Sequence, residues 1–294
     1  GVVGYTLGGG LSWLGRKHGL ACNSVVALEL VTADGRYVRV DAATEPELFW
    51  GLRGGGGQFG VVTALEFELF PIEELHGGAL MWPVERAREV FTAWRDWTTT
   101  VPEGVTSLCR IVNAPEGASF VLVEAAILGD AGILDPLRAL DPQFDLVAPM
   151  SPAALTEIHN DPKEPVPAMT GHRLLAGAPD EAIAELVAHA SRTLVAVELR
   201  HLGGALGRGS VCHGALEELR GDYSLLAVGI APDAEAAMAV DVALTRLTQA
   251  LAPWDSGRAF RNFSERPGRF HDGHAAHRLR ALKAQVDGDG LFVS

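Results

Sequence analysis

Two stretches decide how this chain is read: GYTLGGGLSWLGRKHGL at residues 4–20 and GLRGGGGQFGVVT at residues 51–63. The first places Gly4 and the run Gly8, Gly9 and Gly10 just before a helix predicted over 11–18 and stopped by Gly19. The second places Gly54 to Gly57, with Gly60, just before a strand. A residue without a Cβ lets backbone N–H groups converge on an anion, and a helix N-terminus adds partial positive charge. Together the runs suggest a diphosphate-containing cofactor, although either alone serves equally well as a tight turn or a close packing contact. No GxxxxGK(S/T) pattern occurs and neither run follows the strand–GxGxxG–helix order, so P-loop and Rossmann sites are disfavoured.

Outward from these runs, the spacing predicts a strand over 25–32 and a hairpin turn at Asp34 and Gly35 leading into a strand over 37–40. Thr44 and Glu47 have the form of a capping box with Pro46 in the first turn of a short helix. After Gly60 a period of two puts Leu65, Phe67 and Leu69 on one face of a strand ending at Pro71. From about Ile72 glycines thin out and longer amphipathic helices begin, so a second domain is expected there. Val84, Ala87, Val90, Phe91, Trp94 and Trp97 follow helical spacing and read as core. Strands are expected over 107–112, 119–128, 194–200 and 223–230, and helices over 180–191, 233–251 and 274–286, the first two of these capped by Asp180 and Asp233. The proline-rich 161–167 and the stretch 253–267 read as loops. The expectation is an α+β chain: 1–72, 73–264 as an antiparallel sheet backed by helices, and 265–294 as a return segment.

Composition narrows the function. A net charge of −13 with no basic stripe argues against nucleic acid. No apolar run approaches the roughly 18 residues of a membrane span. Cys22, Cys109 and Cys212 lie far apart, which suits neither a zinc ribbon nor a disulfide framework and fits a cytoplasmic protein. Gly1 in place of methionine, followed directly by Val2 and Val3, suggests that residues are missing upstream. His271, His274 and His277 recur at three-residue intervals but lack accompanying ligands, and a solvated helix is the expected reading. A Gly-x-Ser-x-Gly elbow is absent, which leaves a hydrolase little support.

The residue 4–20 block, the segment ELVTADG at 29–35 and LFWGLRGGGGQFGVVT at 48–63 closely resemble the second half of a PCMH-type FAD-binding domain. The resemblance continues through VELRHLGGA at 197–205, RNF at 261–263 and the closing LRALK and GLF segments, as in berberine-bridge-enzyme-like oxidases of the vanillyl-alcohol oxidase superfamily. It implies FAD as cofactor, with Gly4 and Leu7, Gly8, Gly9, Gly10 and Leu11 along the flavin and its diphosphate. It further implies Gly19 to Asn23 and Gly60, Val61 and Val62 near the rest of the dinucleotide, and Asn262 near the isoalloxazine ring.

The implied activity is oxidation of a small-molecule alcohol, sugar or secondary metabolite, with hydride passing to flavin N5 and electrons to dioxygen. The family's N-terminal subdomain, with its histidine for covalent flavin attachment, would precede Gly1, so these 294 residues alone are expected to hold FAD poorly. Cys22 reads as a small buried residue rather than an attachment point. Many members carry a tyrosine where this chain has Phe260, and the strand that bears a polar base in plant members is nearly apolar here. Alternation sends Glu198 and Arg200 to one face of their strand and Leu199 and His201 to the other. His201 is the candidate base by its chemistry, against the reading of a hydrogen-bonded structural histidine, with Tyr223 as the fallback. The competing functional reading is a truncated, non-catalytic remnant or binding module of the same fold.

Overall fold

The computed structural model describes residues 1–113, 117–162 and 164–293. Its first part carries α1 (Val2–Leu7), α2 (Gly15–His18), β1 (Val25–Val31), β2 (Tyr37–Asp41), α3 (Pro46–Leu52) and β3 (Val61–Phe67). The middle adds β4 (Leu75–Pro83), α4 (Ala87–Thr98), β5 (Val105–Asn113), β6 (Ser119–Leu128), α5 (Asp135–Arg138) and the two-residue strands β7 (Phe144–Asp145) and β8 (Ala148–Pro149). The remainder supplies β9 (Ala168–Leu175), α6 (Asp180–His189), β10 (Ala196–His201), β11 (Tyr223–Ile230), α7 (Ala234–Ala250) and α8 (Gly273–Val286).

A three-stranded antiparallel sheet of order β2-β1-β3 follows the glycine loop. The β1–β2 hairpin closes at Gly35, whose φ of 80° needs a residue without a Cβ. Three local expectations are corrected. The helix expected over 11–18 shrinks to α2, while helix forms instead at α1. Gly9 and Gly10 leave the helical region with φ of 124° and 79°, and their carbonyls accept from Cys22 N and Ala21 N. Thr44 does not cap α3. Its backbone closes a turn with Asp41, accepting from Asp41 N and donating to Asp41 Oδ1, so the cap position falls to Glu45 in the left-handed region. Finally, β3 ends at Phe67, where Glu68 N donates to Ser24 O, and Leu69 beyond it is 85% exposed.

The larger sheet is antiparallel, of order β7-β4-β6-β5-β10-β11-β9, with β8 beside β4. Strands β4 and β9 were not expected. Gly77 and Gly78 interrupt the pattern of one, and Gly171, His172 and Arg173 that of the other. One face carries Val105, Cys109, Val121, Val123, Val197, Leu199, Leu225 and Ala227 and packs against α4, α6 and α7. Trp94 of the expected aromatic stripe is fully buried there and donates its indole N–H to Ser107 Oγ at 3.0 Å. Asp233 caps α7 by accepting from Ala236 N, whereas Asp180 sits inside α6 behind Pro179 and makes no cap bond. Alternation leaves the opposite face with Glu124, Arg110, Glu198, Arg200, Leu226 and Val228.

The return segment docks on the first part of the chain. Leu279 and Leu282 of α8 join the core built by Leu28, Leu30, Leu52 and Phe59. Arg278 lies 3.8 Å from the Trp50 ring centroid and pairs with Glu47. This packing supports a division we propose, in which 1–72 and 265–294 share one core and 73–264 form the second unit. Among the described residues, no helix is long and apolar enough to cross a membrane.

Candidate functional site

The glycine loop at 8–10 is held by one carboxamide. Asn262 Oδ1 accepts from Gly10 N at 3.2 Å and its Nδ2 donates to Tyr5 O at 3.0 Å. A Cβ on Gly8 would stand 2.8 Å from Asn262 Oδ1, and one on Gly9 2.8 Å from both Leu216 and the Phe260 ring. The loop is thus folded tightly onto the segment 260–263. Phe260, almost fully buried, packs there and donates its backbone N–H to His172 Nε2. It has a place in the core and does not line the cavities described next.

Beside the loop, three cavities follow one another and share walls. The middle one, of about 500 Å³, is apolar and lined by Tyr5, Leu14, Gly19, Ala21, Phe67 and Phe70 among others. His18 stacks on Phe70 at 4.1 Å between ring centroids, and its Nε2 is buried without a hydrogen-bond partner. Past His18, Gly19 and Ser24 lies a more polar cavity of about 440 Å³ bordered by Asn23, Arg208, Ser210 and His213. On the other side, past Tyr5, Ser12, Leu14 and Pro152, a cavity of about 620 Å³ opens onto the helix-free face of the large sheet. Burial lifts the Tyr5 phenol to about 12 although the Arg200 charge pulls it back, so this hydroxyl stays protonated at neutral pH and can donate.

The 620 Å³ cavity has a charged floor under apolar walls of Leu11, Leu14, Leu155, Leu226, Val228 and Phe263. Glu124 of β6, fully buried, pairs with Arg110 Nη2 at 2.5 Å and with His159 Nδ1 at 2.6 Å. His159 Nε2 lies 2.9 Å from Arg200 Nη2. A guanidinium only donates, so Nε2 is the acceptor and the ring proton resides on Nδ1, facing Glu124. Arg200 also lies over the Trp13 ring at 5.0 Å and stands 3.7 Å from Glu198, while its Nε is buried without a partner. Arg110 Nη2 donates to His159 O at 2.8 Å, fixing the loop that carries the histidine.

The expected catalytic pair is placed elsewhere. His201 and Tyr223 face each other across β10 and β11 on the helix-covered side of the sheet, and neither lines the 620 Å³ cavity. His201 Nδ1 accepts from Arg16 at 2.8 Å, and burial, reinforced by the Arg16 charge, depresses its pKa to about 3. The Tyr223 hydroxyl bonds Thr98 Oγ1, and burial raises its pKa. Strand alternation had separated Glu198 and Arg200 from His201 correctly, and the cavity lies on the side of the first two. Glu124, Arg110 and His159 were missed. Arg110 and Glu124 had a signal, a lone charge in each of two apolar strands, VTSLCRIVN and SFVLVEAAIL, and His159 had none.

Of the expected cofactor positions, Gly19 and Asn23 border the cavities, Leu11 borders the 620 Å³ one, and Gly8, Gly9 and Gly10 form the loop behind them. Gly4 is exposed, with open space at its Cβ position. Leu7 is core. Asn23 instead ties down the 214–216 segment, accepting from Gly214 N and donating to Leu216 O. Gly60 precedes β3, Val61 and Val62 begin it, and none of the three lines a cavity. Gly60 is required because a Cβ would meet Val31 O at 2.7 Å. The 54–57 run likewise serves packing, with Cβ positions on Gly54 and Gly55 blocked at 2.4 and 2.2 Å by Leu216 and Gly51 O. Cys22 is fully buried and its thiol is pushed up to about 12. Among the described residues no cluster of three or more His, Cys, Asp or Glu could hold a metal.

No protein-family profile matches the chain. Over 112 residues it is 37% identical to the uncharacterized FAD-linked oxidoreductase YgaK of Bacillus subtilis (strain 168), covering 36% of this chain and 25% of that protein. Over 151 residues it is 36% identical to the FAD-linked oxidoreductase azaG of Aspergillus niger, covering 48% of this chain and 32% of that protein. Among solved structures, 6-hydroxy-D-nicotine oxidase from Arthrobacter nicotinovorans superposes with a TM-score of 0.85 at 22% identity, over 99% of this chain and 70% of that one. The chain is related to the FAD-linked oxidoreductases and has the berberine-bridge-enzyme-like fold. BBE-like 1 of Physcomitrella patens likewise gives a TM-score of 0.85 at 18% identity, over 100% of this chain and 69% of that one. This chain therefore spans a quarter to a third of the length of those two curated relatives while carrying the whole of its own length in the berberine-bridge-like fold.

Proposed function

We propose that this chain is part of an FAD-dependent oxidoreductase that oxidises a small organic molecule in the 620 Å³ cavity. The observation that carries this reading is the apolar slot beside the glycine loop, which shares Tyr5, Ser12, Leu14 and Pro152 with a cavity floored by a charged network. The slot suits a flat, largely apolar ring system, and the buried, unpartnered His18 Nε2 on its wall calls for a polar group of a ligand. The residues that would hold FAD are Tyr5, Ser12, Leu14, His18, Gly19 and Ala21, with Asn23 and Ser24 toward the polar cavity. Bound there, the flavin would supply hydride acceptance from a substrate C–H and return of the electrons to dioxygen.

The chain's own residues do the remaining work. Asn262 fixes the loop from which Tyr5 and Leu11 reach the cavity wall. Arg200 fixes the ring proton of His159 on Nδ1, toward Glu124, and His159 in turn holds Arg200 against Trp13. The apolar walls exclude water and strengthen each polar contact on the floor. The names of the relatives support FAD and redox chemistry, and part of their length lies outside the match. The test therefore uses the full-length protein. Purified and desalted, it is expected to keep a flavin absorbance, and the chromophore released by denaturation should co-elute with FAD. Colourless protein whose melting temperature does not rise on adding FAD would sink the reading.

A further inference from the structure

At the β9 edge of the large sheet a further cavity, of about 390 Å³, lies between β9, α7 and the segment 255–269. It shares no lining residue with the three cavities beside the glycine loop. Arg173, Arg258, Arg266 and Arg269 line it, in a chain whose net charge is −13. Two of these are matched, Arg173 by Asp255 and Arg266 by Asp241 of α7. The other two have no carboxylate partner among the described residues. Arg258 donates from Nη1 to His271 O, which leaves most of its fork uncommitted, and the exposed Arg269 side chain makes no hydrogen bond or ion pair among the described residues. Burial, and then the charges of Arg269 and Arg220, pull the Arg258 pKa down, so the two guanidiniums work against each other. Of the lining carboxylates, Asp255 is spent on Arg173 and the Gly257 N–H, which leaves Glu265. His172 has both ring nitrogens committed, to Leu225 O and Phe260 N. The backbone holds the two free arginines at the base of one loop. Ala259 N donates to Arg269 O at 3.1 Å, and a Cβ on Gly268 would stand 2.9 Å from Ala259 Cβ.

We propose that this cavity binds a phosphate dianion, free or carried by a small hydroxylated molecule, between Arg258 and Arg269. Planar guanidinium forks match phosphate oxygens in pairs, and a dianion answers two cations that otherwise repel. A carboxylate would bring one charge to two arginines, and a cation would meet all four. The other walls include Thr170, Thr248 and Ser264, whose hydroxyl oxygens suit a hydroxylated body better than an acyl chain. The site stands apart from the oxidoreductase reading and does not depend on it. It does adjoin the same loop, because the segment closed by Ala259 and Arg269 carries Asn262, the clip on the glycine loop. An anion bridging the base of that segment would hold the clip in place.

The experiment is calorimetric titration of the full-length protein at pH 8 and constant ionic strength with inorganic phosphate, glucose 6-phosphate and acetate. Both phosphates should bind saturably and more tightly than acetate, and the tighter of the two names the source of the anion. Arg258→Gln and Arg269→Gln should each weaken phosphate binding by about tenfold, the worth of a charge-assisted hydrogen bond. Arg88→Gln, which removes the same charge from the exposed side of α4, should leave it unchanged. Glu265→Gln removes the carboxylate that opposes the anion and should tighten binding by about threefold, a gain that a misfolded variant does not imitate. No saturable binding of either phosphate, or acetate bound as tightly, overturns the proposal on wild-type protein alone. Equal affinity in wild type and Arg269→Gln, or an equal loss in Arg88→Gln, would place the anion elsewhere and overturn it too.

Discussion

The carboxamide of Asn262 touches the glycine loop twice and α1 once: it faces Gly8, accepts from Gly10 N and donates to Tyr5 O. Replacing it by alanine removes both bonds and leaves the part-buried Gly10 N–H without a partner, while the exposed Tyr5 C=O turns to water. Asn262→Ala is therefore expected to lose about 1–3 kcal/mol in urea-induced unfolding, with weaker FAD retention by the same samples. An unchanged urea midpoint would show that the loop does not depend on this clip. The residue scale also marks where sequence reasoning stopped. Glu198, Arg200 and His201 are consecutive or nearly so, and alternation alone assigned them to two faces. Which face carries the cavity depends on where α4, α6 and α7 pack, and no local pattern around residue 200 contains that information. His159 was illegible for a related reason. Its meaning comes from Glu124 and Arg200, reached only through the tertiary fold, and it sits in an irregular segment with no period to read.

At the level of elements, the two glycine runs look alike in sequence and differ in cause. The first follows a helix and bends through positive φ at Gly9 and Gly10 beside the cavities. The second lets α3, the 214–216 segment and α8 approach one another. A Cβ on Gly55 would stand 2.2 Å from the carbonyl oxygen of Gly51, a backbone atom that cannot swing aside, whereas one on Gly57 meets nothing closer than 3.9 Å. Gly55→Ala should lower the melting temperature, at a cost of about 1–3 kcal/mol. Gly57→Ala should be neutral or slightly stabilising, by up to about 1 kcal/mol, since it restricts the unfolded chain. Equal melting temperatures for the two would refute the packing account. The hairpin, the aromatic stripe and strands β5, β6, β10 and β11 of the large sheet were legible because period and turn chemistry agree there. Strands β4 and β9 were not, because glycines and charges break their alternation, and α1 was hidden by the glycines that flank it.

Over the whole molecule, stability should depend on pH through three histidines held neutral in separate places. His172 accepts from Phe260 N, His201 from Arg16, and His271 lies buried against Ala215 O. Burial is the leading cause in each case, and their pKa values fall to about 4, 3 and 4. An unfolded histidine titrates near 6.5, so the unfolded chain binds these protons first. The stabilisation is complete above about pH 6.5 and is progressively lost as the pH falls toward 4 and then 3. Melting temperatures measured between pH 7 and 4 should decline, and His201→Gln, which keeps an acceptor for Arg16, should make the decline shallower. An unchanged slope would exclude His201 as a contributor. The class of fold, helices with antiparallel sheet, was legible from pattern and resemblance, while the shared core of the first part and α8 emerged only in three dimensions. That core has a temporal consequence. Residues 25–67 leave the ribosome some 210 residues ahead of Leu279 and Leu282, which close their apolar surface. The loop at 8–10 likewise waits some 250 residues for Asn262. During translation this earlier segment stays open and adhesive until α8 emerges, so a nascent-chain chaperone would find its binding surface there rather than on the later sheet.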